Sequence, residues 1–180
     1  GDPSGAKEIS ANTSDWENVS IPHDWAIAED FIKSNNAIPG FLGLYGFPNT
    51  LCVSPNSQVV HGIPNNKPLK NGDIISIDCG VLKDGYYGDH AKSFAVGQVE
   101  EERKKLMDVT RECLLLAIKQ AVSGNRIGDI SDAVQIKAES NGYGVVRELV
   151  GHGIGTKLHE EPQIPNFGKP GTGPLIKAGM

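Results

Sequence analysis

Two alternating stretches joined by Asp84-Gly85, in "DIISIDCGVLKDGYYGDHAKSF" (residues 73–94), constrain this chain more than any other feature. The run from Asp73 to Leu82 alternates and is rich in β-branched residues. Asp84-Gly85 is the two-residue signal for a type I′ turn, and Tyr86 to Val96 returns as a second strand. With Asp84 and Gly85 at the centre of the turn, paired residue numbers sum to 169. Asp78 then faces Ala91 across the ladder and Asp89 faces Gly80, so the two carboxylates are diagonal neighbours on one face. Such neighbours sit roughly 7 to 8 Å apart at the backbone, within reach of one shared cation or of two about 3.5 to 4 Å apart. Bare carboxylates converging on a partly apolar sheet repel each other and lose hydration, and a divalent cation offsets both costs. Two aspartates on a hairpin can also simply face water. Asp78, however, interrupts an apolar run, where an unpaired buried carboxylate costs several kcal/mol. The glycine-flanked His152 in "VGHGIGTKLHEEP" adds an imidazole to this candidate metal centre.

Composition sets milder bounds. A chain of 180 residues with 38% hydrophobic content is long enough for one core, burying roughly 70% of its extended surface. A net charge of −5 argues against bulk electrostatic binding to nucleic acid or anionic lipid. Cys52, Cys79 and Cys113 are odd in number and widely spaced, with no C-x-x-C, which suits a reducing compartment. No stretch approaches the ~20 apolar residues of a membrane span, and the polar N-terminus has no apolar signal core. The expectation is a soluble, cytoplasmic monomer.

Along the chain, residues 1 to about 24 lack periodicity. A short helix is predicted from Asp24 or Trp25 to Ser34, stopped by Asn35, Asn36 and Pro39. Residues 41–64 read as strand, turn, strand, with "SQVVHGIP" as the second strand. After the hairpin, a helix is predicted from Glu100 to Val122, with Leu106, Val109, Cys113, Leu116 and Ala117 on one face, and another from Ile130 to Ser140. "YGVVRELVGHGIG" reads as strand and glycine-rich bend. "AEDFIKSNNAIPGFLGLYG" and "AVQIKAESNGYGVVRELVGHG" echo one another, each a helix end, an Asn-containing stop and a strand running to glycines.

The blocks "GFPNTLCVSPNSQVVHGIP", "GDIISIDCGVLKDGYYGDHAKSF" and "ELVGHGIGTKLHEEPQIPNFG" resemble methionine aminopeptidase of the type I kind, in order and spacing, from about Glu29 to Met180. The resemblance implies an α/β (α+β) pita-bread fold, a curved antiparallel sheet with flanking helices. It implies removal of the initiator methionine from nascent chains, with the ribosome that carries them as a partner. By the same resemblance Asp78, Asp89 and His152 are metal ligands, Asp89 the bridging one, and His61 and His159 sit beside the substrate. Phe41, Leu44, Phe47, Cys52 and Leu158 match the narrow pocket for the methionine side chain. Read from the residues alone, those five are ordinary core, and each histidine is a surface or core residue.

Carboxylates with one imidazole suit Co, Mn, Fe or Zn, and two such divalent ions would acidify a bridging water. His159 would then hydrogen-bond the scissile carbonyl and His61 would lie near the scissile nitrogen.

Two departures from the family pattern shape the expected organisation. The family supplies two further metal-binding glutamates, one soon after a Gly-Met pair matching Gly179-Met180, beyond the residues of this chain. Residues 1–28, through "WENVSIPHDW", resemble part of the sugar-binding domain of family 2 glycoside hydrolases without their catalytic carboxylates. The expectation is a foreign or disordered segment at 1–28 and a partial catalytic domain at 29–180, the fold incomplete at both ends. The competing readings are a non-catalytic pita-bread binding module or inactive fragment, and a prolidase-like Xaa-Pro aminopeptidase. "HGIP", "GHGIG" and the compact spacing favour the methionine enzyme over the latter.

Overall fold

The computed structural model describes residues 21–180, with side chains from residue 27 onward. Most of the 1–28 segment therefore lies outside the described residues. Helix α1 spans Ile21–Ser34, beginning ahead of the expected start and running through the boundary at residue 28.

The centre of the fold is the hairpin β3 (Ile74–Lys83) and β4 (Tyr86–Ala95). Its register is the one expected, with Asp78 opposite Ala91 and Gly80 opposite Asp89. Asp84 and Gly85 take φ of 51° and 83°, the pair of positive values that a type I′ turn requires. On one face lie Asp78 and Asp89, with the Ser76 and Ser93 hydroxyls 2.7 Å apart beside them. On the other, Ile75, Ile77 and Cys79 join Leu51 and Val53 in an apolar cluster that Ala28 of α1 helps to cover. Strands β1 (Ile38–Pro39) and β2 (Leu51–Pro55) add to β3 on its other edge, all antiparallel.

Helix α2 (Glu101–Gln120) carries Glu101 and Glu102 in its first turn, where carboxylates complement the helix dipole. Its buried Val109 and Cys113 pack on Ala138, Val134 and Tyr143 of the next segment. Of the expected stripe, Leu106 is 38% exposed. Helix α3 is Ile127–Ser140, three residues longer at its start than periodicity suggested. There the Asp129 carboxylate accepts from the Arg126 N–H at 2.6 Å, satisfying a donor that the helix leaves free. A second sheet pairs β5 (Val150–Gly153) with β6 (Glu160–Pro165).

Helices α1 and α3 end in the same way. Asn35 and Asn141 each turn a side-chain amide back to the carbonyl four residues earlier, at 2.8 and 2.9 Å. Asn36 and Gly142 follow with positive φ, and Ala37 and Tyr143 close the turn onto Ile32 and Ala138 at 3.1 Å.

Two sequence expectations need correction. Residues 41–64 are not strand, turn, strand: a 3-10 turn at Leu44–Gly46 precedes β2, and "SQVVHGIP" runs alongside β2 without forming a strand. It is tied there by Val53 N–H donating to Gly62 O at 2.8 Å and Gly62 N–H to the Ser54 hydroxyl at 3.0 Å. The strand in "YGVVRELVGHGIG" is confined to Val150–Gly153. Among the described residues no helix is long and apolar enough to cross a membrane.

Candidate active site

All ten residues singled out from the sequence line one cavity of about 870 Å³. Its floor is apolar: Phe41, Cys52 and Leu158 are buried together, with Leu44, Phe47 and Tyr87 packed against them. Gly80 makes room for this floor, because a β-carbon there would strike the Phe41 ring. Burial, with Asp78 and Asp89 nearby, pushes the Cys52 thiol up to about 11, so it stays a neutral apolar group.

The wall above is ionisable. Asp78 Oδ1 is buried with no hydrogen-bond partner among the described residues. Desolvation first, and the Asp89 carboxylate second, raise the Asp78 carboxyl to about 7. On the second sheet His152 lies close by, its Nε2 atom 3.6 Å from Asp89 Oδ2. That distance is too long for a hydrogen bond. His152 Nδ1 is 2.9 Å from Gly153 O, and since a carbonyl only accepts, Nδ1 carries the proton. In the neutral ring Nε2 then points a lone pair at a carboxylate.

An orphaned carboxylate oxygen, a raised carboxyl pKa and an imidazole lone pair aimed at a second carboxylate describe a donor set suited to a cation. The residues fit a divalent ion of the kind that oxygen and imidazole donors select, Mn, Fe, Co or Zn. Among the described residues no three such side chains close on a single point as a finished cage. The three donors instead face a common space from two sheets.

His61 is reached through a strained backbone, φ 58°, with Gly62 pressed so closely on the Val53 carbonyl that no β-carbon fits. His159 lies beside His152, ring centroids 4.4 Å apart and planes at 73°. Sequence reasoning passed over Tyr45, Val60, Ile63, Leu149, Val150 and Gln163, which also line the cavity. Gln163 reaches the site as the cross-strand partner of His152, a pairing that the sequence reading did not include. Glu160 and Glu161 line the rim. Glu160 is held ionised by the backbone N–H of Lys157, which lowers its pKa. The acidic lining groups are thus carboxylates, and among the described residues that line the cavity there is no lysine or arginine.

The family model of metallopeptidase family M24 matches residues 22–180. Over 154 residues the chain is 53% identical to a methionine aminopeptidase of Clostridium perfringens, covering 86% of this chain and 62% of that protein. It is 50% identical to methionine aminopeptidase 1 of Bacillus subtilis over 154 residues, with the same coverage of 86% and 62%. The fold is similar to the crystal structure of methionine aminopeptidase from Rickettsia prowazekii, with a TM-score of 0.87 and 46% identity over 91% of this chain and 66% of that one. A prolidase from Pyrococcus furiosus shares the fold alone, with a TM-score of 0.76 at 24% identity over 91% of this chain and 46% of its own. The chain spans about 62% of the length of the curated relatives it matches.

Proposed function

Since the chain belongs to metallopeptidase family M24, we propose that it is the larger part of a methionyl aminopeptidase, which hydrolyses the first peptide bond of chains beginning with methionine. The observation that carries this reading is the single cavity in which an apolar floor adjoins Asp78, Asp89, His152, His61 and His159.

In this reading the N-terminal side chain enters against the floor formed by Phe41, Cys52 and Leu158, which is apolar and buried. The carboxylate-lined, lysine-free and arginine-free cavity favours the positively charged α-amine of a free N-terminus. Asp78, Asp89 and His152 would hold the divalent ions, two in number. When bound there, such ions supply Lewis acidity that polarises a peptide carbonyl and acidifies water. His159 hydrogen-bonds the carbonyl oxygen as negative charge gathers on it, and His61 delivers or accepts a proton near the departing nitrogen. The substrates would be nascent polypeptides at the ribosome, and the compartment the cytoplasm.

A purely binding role is disfavoured by the unpartnered Asp78 oxygen, which costs stability unless something occupies the space it faces. The test is release of free methionine from a Met-Ala-Ser peptide by the purified chain with added Mn or Co. Asp89→Asn, and a version continued past Met180 with the sequence of a relative, run beside it. Release that Asp89→Asn abolishes in either form supports the reading. Silence in both forms overturns it.

A further inference from the structure

His159 stands exposed at the cavity wall, and among the described residues no hydrogen bond holds its ring. Two rings flank it instead. His152 meets it edge-on, and Tyr45 lies nearly parallel, centroids 6.4 Å apart and planes within 20°. The Tyr45 separation falls within the range at which aromatic pairs attract, roughly 4.5 to 7 Å, and the His152 ring stands at its near limit.

Tyr45 is costly where it stands. Its backbone sits at φ 49°, ψ 27°, the left-handed region, which is strained for a non-glycine residue. The residue is 89% exposed, so burial offsets little of this. The conformation is imposed by the turn around it. Gly43 and Gly46 have φ of 83° and 82°. Gly43 N–H donates to Phe47 O at 2.8 Å, and Phe47 N–H donates back to Leu44 O at 2.9 Å. Leu44 and Phe47 anchor the turn on the cavity floor, which drives residue 45 outward. Glycine at 45 would satisfy the same turn without strain. Neither the local conformation nor packing on the core accounts for an aromatic residue here, whereas its ring neighbour does.

We propose that Tyr45 is a positioning residue for His159: its ring, held outward by the strained turn, sets with His152 the plane in which His159 presents its nitrogen to the substrate carbonyl. The last clause rests on the aminopeptidase reading, while the relation between the rings does not. Orientation matters because an imidazole hydrogen bond weakens steeply off axis. Misplacing a reacting contact by about 1 Å can cost on the order of a hundredfold in rate.

Tyr45→Gly removes the ring and relieves the backbone, and Tyr45→Phe keeps the ring. The first readout is the His159 ring C–H resonance in proton–carbon NMR spectra, identified by its loss in His159→Gln. It is expected at the same position in the wild-type and Tyr45→Phe proteins and displaced in Tyr45→Gly. Tyr45→Gly should melt at or above the wild-type temperature, which separates loss of the ring from loss of the fold. In the Mn-loaded protein, kcat on Met-Ala-Ser should fall roughly tenfold in Tyr45→Gly with KM changed less than about twofold, and recover in Tyr45→Phe. An unmoved His159 resonance in Tyr45→Gly overturns the proposal. A displaced resonance in a protein that turns over no peptide, as the 180-residue chain and as the form continued past Met180 alike, supports the ring relation and counts against the aminopeptidase reading alone.

Discussion

Asp89 Oδ2 and His152 Nε2 face each other across 3.6 Å from two different sheets, two acceptors with no proton between them in the neutral ring. A cation between such groups converts a mutual repulsion into two bonds, and it would join the β3–β4 hairpin to the β5–β6 pair.

Asp89→Asn and His152→Ala should each weaken divalent ion binding by at least tenfold to a hundredfold, the loss found even for groups one step behind a ligand. Titration calorimetry with Mn measures this directly. Thermal melts give a second readout, since an ion at a hundred times its Kd stabilises the wild-type protein by about 2.7 kcal/mol. Equal affinities in wild type and both variants would move the ion site elsewhere.

Asp78 gives a pH dependence with a definite sign. Its carboxyl is raised from 3.8 to about 7, chiefly by burial and then by Asp89. A raised pKa means that the folded state holds the proton more tightly. The contribution to stability is therefore whole below 3.8 and lost as pH rises through about 7. Asparagine mimics the protonated form at every pH. In chelator, the melting temperature of Asp78→Asn relative to wild type should climb between the acid and the neutral end of that window. A difference that stays flat would show that Asp78 does not titrate there.

Gly80→Ala places a β-carbon on the Phe41 ring, so the ring has to shift. Overpacking of this kind costs about 1–3 kcal/mol and should narrow the apolar floor. Gly62→Ala should be worse, because its β-carbon meets the backbone of Val53, which the 2.8 Å bond between the two residues keeps in place. Urea midpoints order the two variants, and the prediction fails if Gly62→Ala is the milder.

Leu158→Ala opens the buried floor and should cost 2–5 kcal/mol. A wider floor admits larger N-terminal side chains, so the kcat/KM ratio of Phe-Ala-Ser to Met-Ala-Ser should rise roughly tenfold. An unchanged ratio would remove Leu158 from the selectivity pocket.

The hairpin was legible to the residue because its period of two and its Asp-Gly turn are local properties that tertiary packing had no reason to override. The convergence of Asp78, Asp89, His152, His61 and His159 was legible through a resemblance spread over several blocks rather than through any short motif. What escaped was set by non-local contacts. The strand expected at "SQVVHGIP" had the right residues but bends at His61, where φ is positive. Strand β6 was hidden by Pro162 and Pro165, residues that a two-stranded ladder accommodates and that pattern reading discounts. Tyr45 gave no signal, since neither its positive φ nor its outward ring leaves a mark on hydrophobic periodicity.

A 2.8 Å hydrogen bond runs from the Tyr87 N–H on β4 to the Gly155 carbonyl just past β5. Asp89 is two residues along one strand from it, and His152 three residues back along the other segment. Opening the site means breaking that bond, so the rate at which the Tyr87 amide exchanges with heavy water becomes a clock for the separation of the two sheets. Deuterium uptake at one backbone position would then report occupancy of the metal site, with no substrate and no turnover.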